Sequence, residues 1–152
     1  MTSTIAPSAA GVMPGYGNPT FNCGGAQIRA QSRHLATVVT ISGEIDAINI
    51  ERVSKYTRRF ILVEKPIVLD LSGVDSMGAQ AISLLSELDE ACRTAGVEWA
   101  LIASYAVIQA LRVGNEEDVF PTVDSIPEAL HHFADVSLRR RRMLLSLLTK
   151  TA

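Results

Sequence analysis

The chain has 152 residues, 47% of them hydrophobic, with 14 Lys+Arg against 16 Asp+Glu, a length that supports one core and not two comfortable ones. Five of the bases (Arg139, Arg140, Arg141, Arg142 and Lys150) fall within 139–152, where there is no acid, so residues 1–138 hold nine bases against 16 acids, a net of −7. So acidic a body argues against direct nucleic-acid binding, and no apolar run approaches the roughly 20 residues of a membrane span.

Residues 1–25 are rich in Ser, Thr, Gly, Pro and Asn and carry no charge; such a segment buries too little to offset its ordering entropy, and a disordered tail is expected. Two strand-like runs follow, 26–33 and 34–42, with Thr37-Val38-Val39-Thr40-Ile41 the clearer, turning near Arg33-His34. Gly43-Glu44-Ile45-Asp46 is read as breaking the second strand, and Asn49 as the N-cap of a helix that turns Ile50, Val53, Tyr56 and Phe60 inward. After Pro66, Ile67-Val68-Leu69-Asp70-Leu71 reads as a buried strand, and residues 73–78 as a Ser/Gly/Asp turn.

The strongest helix follows, with Ala81, Leu84, Leu85, Leu88, Ala91, Cys92 and Ala95 on one face, Gln80, Ser83, Glu87 and Glu90 on the other, and Gly96 as its stop. Residues 99–103 predict a buried strand, 105–113 a short helix, and 119–123 an edge strand interrupted by Pro121. Ser125-Ile126-Pro127-Glu128 is a capping box that opens a last helix through Leu130 and Phe133. The order β-β-α-β-α-β-α-β-α predicts an α/β fold: a mixed, largely parallel sheet with helices packed against it, in a single domain. The domain is placed at 26–135, with a basic amphipathic segment at 136–152.

On Gly43-Glu44-Ile45-Asp46, on the strand 67–71 and on Val74-Asp75-Ser76-Met77-Gly78 leading into the long helix, the chain resembles the STAS domain of the anti-sigma factor antagonist family. The resemblance implies a non-enzymatic, cytoplasmic module without a cofactor. Such a module docks on an anti-sigma factor of the kinase-like ATPase type and frees a sigma factor. It implies a partner-binding surface of Asp46, Asp75, Ser76, Met77, Gly78, Gln80, Ser83 and Glu87. In that family a Ser or Thr between the Asp-Ser pair and the Gly accepts a phosphate that abolishes docking; here Met77 holds the position, and a thioether cannot accept one. Ser76 is the neighbouring hydroxyl, a candidate phosphosite, and otherwise an N-cap.

Other readings stand beside this one. Gly73 and Gly78 have the outer spacing of a phosphate-binding loop, but Ala79-Gln80 replaces its Lys-Ser/Thr. Ser76 with Gly78 is half of a hydrolase nucleophile elbow, whose histidine would have to be His34, His131 or His132. A STAS scaffold or membrane-transport accessory is the third reading. No metal site is predicted: His131 and His132 are adjacent and diverge on a helix. Cys23 and Cys92 lack CxxC spacing, which fits a reducing compartment; Cys23, in the tail, is the more available thiol, and a disulfide between the two is thinly supported. The basic stretch and its leucines, Arg139 to Leu148, suit contact with the acidic body, with a second copy in a homodimer, with a partner, or with an anionic membrane.

Overall fold

The computed structural model of the protein describes residues 20–63 and 65–151. Five strands lie side by side in chain order: β1 (Phe21–Cys23), β2 (Ala26–Ser32), β3 (Thr37–Ile45), β4 (Ile67–Met77) and β5 (Trp99–Ala103). The pairings β1–β2 and β2–β3 are antiparallel, whereas β3–β4 and β4–β5 are parallel, so the sheet is mixed. The parallel half is joined by helices: α1 (Ile50–Arg58) links β3 to β4, and α2 (Ile82–Ala95) links β4 to β5. Two more, α3 (Tyr105–Val113) and α4 (Ile126–Thr151), follow β5.

Strand alternation sorts the core into two layers. Ile28, Val39, Ile41, Leu69, Leu71 and Leu101 pack against Val53 of α1, Leu84, Leu85 and Leu88 of α2 and Val107 and Leu111 of α3. Val38, Val68, Ala100 and Ile102 face the other way and are covered by Ala129 and Phe133 of α4. Strands covered on both faces need apolar residues at successive positions, which is why 67–69 and 99–102 read as continuous runs. The β2–β3 hairpin turns where predicted, the Arg33 N–H donating to the Ala36 carbonyl at 2.8 Å. Gly96 ends α2 in the left-handed region at φ +71°. Ser125 Oγ accepts from the Glu128 N–H at 3.2 Å, the predicted N-cap of α4, while the Glu128 carboxylate reaches one residue further back than a capping box and accepts from the Asp124 N–H at 3.1 Å.

Several boundaries differ from the sequence expectation, each for a local reason. The sheet starts inside the segment read as a tail, because Phe21 stacks on Tyr56 of α1 with ring centroids 4.6 Å apart and holds β1 on β2. Cys23 is therefore fully buried, not an available thiol, and burial raises its pKa; the rest of that tail, residues 1–19, lies outside the described residues. Both cysteines are free thiols, so the disulfide considered between them is absent. Asn49 occupies the N-cap position of α1 but its side chain does not cap. Asp46 instead closes the turn ahead of the helix, accepting from the Ile48 and Asn49 N–H groups at 2.9 and 3.0 Å.

The run 119–123 makes only a single bridge, Leu101 with Thr122, since Pro121 has no N–H to extend a ladder. At the C-terminus, α4 continues without a break across residue 136. It does not fold back on the acidic body: Arg140 reaches Glu98 at 3.4 Å, while Met143, Leu144, Leu145 and Leu147 stay exposed.

Candidate functional site

The stretch read as a turn between Gly73 and Gly78 is strand. β4 runs on to Met77 beside the end of β3, with register Ser42↔Gly73, Gly43↔Val74, Glu44↔Ser76 and Ile45↔Met77. From Thr40↔Asp70 to Ser42↔Gly73, β4 uses three steps to two in β3; between Gly43 and Glu44 it uses two to one. Each mismatch is a bulge with one extra residue in β4, which rotates the side chains that follow. The inside-outside period changes from two to three: Val74 and Met77 enter the core, and the pairs Ser72-Gly73 and Asp75-Ser76 face solvent. A regular strand could not present Asp75 and Ser76 together on one side.

The end of β3 is built to receive this edge. Gly43 has φ +94°, and a Cβ there would overlap the Gly25 carbonyl oxygen. That closeness lets the Gly25 oxygen accept the Glu44 N–H at 3.0 Å. Asn49, 1% exposed, fastens the same corner. Its Nδ2 donates to the carbonyls of Cys23, Gly24 and Glu44 at 2.9, 3.1 and 2.8 Å, and its Oδ1 accepts from the Asp46 N–H at 3.0 Å. The Gly78 N–H then donates to the Ile45 carbonyl at 3.0 Å, so the β4 terminus and the Asp46 loop are joined directly.

Of the predicted docking residues, Asp46, Asp75, Ser76, Gly78 and Gln80 lie at the carboxyl ends of β3 and β4 or on the turns that leave them, and Ser83 lies in the first turn of α2. Gln80 lies in a 3-10 turn, Ala79–Ala81, ahead of α2, and Ser83 Oγ donates to its carbonyl at 2.9 Å. Glu87 lies further along α2, and its carboxylate accepts from Ser54 Oγ of α1 at 2.8 Å. Met77 is only 9% exposed and packs in the core, forming a wall of the groove and not a projecting contact. Ser76 is not an N-cap: it lies within β4, and Gly78 precedes the 3-10 turn without a side-chain cap.

The far wall of the site is not among the residues expected from the sequence. A groove of about 370 Å³ runs between Asp75, Ser76 and Met77 on one side and Ala106, Gln109 and Val113 of α3 on the other. Ile48, Tyr105 and Val113 are among the most exposed large apolar residues of the described chain. Ile48 and Tyr105 follow the ends of the parallel strands β3 and β5, the usual side for a binding crevice in such sheets. The signal available in the sequence was their position just after strand ends.

The alternative chemistries find no support in this geometry. Gly73 sits in a strand paired with Ser42, so residues 73–78 do not form a phosphate-cradling loop. His34 precedes β3, whereas Ser76 lies opposite Glu44 near its end, roughly 20 Å of strand away. His131 and His132 ride exposed on α4, which covers the opposite sheet face from α2 and α3. Among the described residues there is no group of three or more His, Cys, Asp or Glu placed to hold a metal, and no helix is long and apolar enough to cross a membrane.

Comparison with known proteins agrees with this architecture. The STAS domain family matches residues 27–129. The chain is 49% identical to Osmosensory protein A of Mycobacterium tuberculosis over 158 aligned positions, covering all of both chains. It is 33% identical over 103 residues to the Anti-sigma-F factor antagonist RsfA of the same species, spanning 62% of this chain and 80% of that one. A crystal structure of an anti-sigma factor antagonist from Mycobacterium paratuberculosis superposes with a TM-score of 0.63 at 18% identity, over 72% of this chain and 94% of the other, a likeness of fold. With that match over most of its length and a full-length relative, the chain belongs to the STAS domain family.

Proposed function

We propose that the protein is an anti-sigma factor antagonist that binds a kinase-type anti-sigma factor through the carboxyl end of its parallel strands, and so frees a sigma factor. The observation that carries this reading is the doubly bulged end of β4. It presents Asp75 and Ser76 side by side next to Asp46, Gly78 and Gln80 while turning Met77 into the core. The likeness to RsfA supports the partner class. Exposed Ile48, Tyr105 and Val113 supply apolar area around the polar centre, the composition expected of a docking face. With no hydroxyl at position 77, the surface stays competent without the usual phosphate switch; Ser76 is the hydroxyl a kinase would reach. The full-length likeness to Osmosensory protein A supports placing this exchange in a response to osmotic strength.

The test is a binding titration against purified kinase-type anti-sigma factors with ATP and Mg²⁺, followed by intact mass. The expected result is binding without a phosphate's gain in mass, weakened at least tenfold, or roughly 1.4 kcal/mol, by Asp75→Arg. A phosphate on the natural chain that disappears in Ser76→Ala would move the switch to Ser76. Binding to no candidate, or binding indifferent to Asp75→Arg, would overturn the reading.

A further inference from the structure

The helix α4 has 26 residues, about 39 Å at about 1.5 Å per residue, yet among the described residues its last buried side chain is Phe133. Every residue from 137 to 147 is exposed. Along this projecting part the sequence changes character in rings. Arg139, Arg140, Arg141 and Arg142 are consecutive, and at about 100° per residue they encircle the axis. Above them Met143, Leu144, Leu145 and Leu147 are 68, 61, 58 and 59% exposed. A cluster of large apolar side chains standing this far into water marks an interaction site.

The distribution of these side chains selects the partner. Met143, Leu144 and Leu145 point in three directions around the axis, and Leu147 lies across it from Leu145. A groove or a single helix covers one stripe; these residues need an environment that is apolar on all sides. Directly below, the arginine collar needs anions spread in a plane. On the body side Arg139 pairs with Asp135 at 3.1 Å and Arg140 with Glu98 at 3.4 Å. Among the described residues no carboxylate lies within ion-pair distance of Arg141 or Arg142, and no acid follows Asp135 in the sequence.

We propose that the projecting end of α4 dips into an anionic lipid surface, with Met143, Leu144, Leu145 and Leu147 at the acyl boundary and Arg141 and Arg142 on lipid phosphates. Residues 143–147 rise about 6 Å along the helix axis, within the roughly 5–10 Å to which interfacial helices bury their apolar side chains. The contact anchors the domain without spanning the bilayer. Apolar insertion and charge act together, because either alone holds a protein only marginally.

The full chain is sedimented with vesicles of phosphatidylcholine alone, or mixed with phosphatidylglycerol, at low and high salt. The expected result is binding to the mixed vesicles, weakened by salt, and none to phosphatidylcholine alone. Arg141→Gln with Arg142→Gln lowers the partition roughly 30-fold, and Leu144→Ser with Leu147→Ser lowers it more than tenfold. All four positions are exposed, so unchanged circular dichroism melts verify that the variants fold. Failure to bind the mixed vesicles, or equal binding to both compositions, overturns the proposal. So does a dimer in sedimentation velocity that the leucine substitutions dissolve, since a second copy would then cover the projecting end.

Discussion

Removing the Asn49 side chain would leave the carbonyls of Cys23, Gly24 and Glu44 without the donor that now joins them. Asn49→Ala is expected to destabilise the fold by roughly 2–4 kcal/mol, because buried acceptors lose their partner; the midpoint of urea unfolding measures it. Gly43→Ala combines a positive φ with overlap on the Gly25 backbone, and a loss of about 2 kcal/mol or more is expected in the same assay. Cys92, buried on α2's core face with Asp89 nearby, has its thiol pKa pushed up to about 11, burial being the larger cause. A pKa raised by folding means the native state holds the proton longer than the unfolded chain. This contribution to stability is therefore complete below the ordinary value of 9.0 and lost as pH rises toward about 11. Between pH 9 and 11 the natural chain should lose stability faster than Cys92→Ala, which lacks the group; parallel urea titrations at three pH values compare the slopes.

Among the elements, β4 matters most for the site. Its sequence after Leu71 has the small and polar residues of a turn, and a turn is what propensity predicts. Pairing with β3 overrides that preference: the parallel ladder continues to Ile45↔Met77, and the surplus residues are absorbed as two bulges. Local composition could not reveal this, because bulges are defined by the partner strand. The same holds for Glu87, whose place on the polar face of α2 is plain from the period of the helix. Its bond to Ser54 exists only because α1 packs alongside. A double-mutant cycle of Ser54→Ala and Glu87→Ala should return a coupling of about 0.5–1.5 kcal/mol. A coupling near zero would return Glu87 to the free surface of the docking face.

At the scale of the whole molecule, the body and the projecting half of α4 are energetically separate. Among the described residues beyond 136, the ion pair to the body is the exposed Arg140–Glu98, so truncation there should cost less than about 1 kcal/mol in a thermal melt. Loss of lipid binding with docking unchanged is the expected consequence for function. The order of elements from β2 to β5, the faces of α2, the capped start of α4, the charge split and the absent hydroxyl at Met77 are all legible in the amino-acid order alone. All of these are written in local periodicity, in residue chemistry or in simple counting. Long-range packing makes Phe21–Cys23 a strand and Asn49 a clamp and not a cap, turns Met77 inward beside an exposed Ser76, and closes the groove with α3. Each of those depends on which distant backbone lies alongside, and no window of neighbouring residues contains that information.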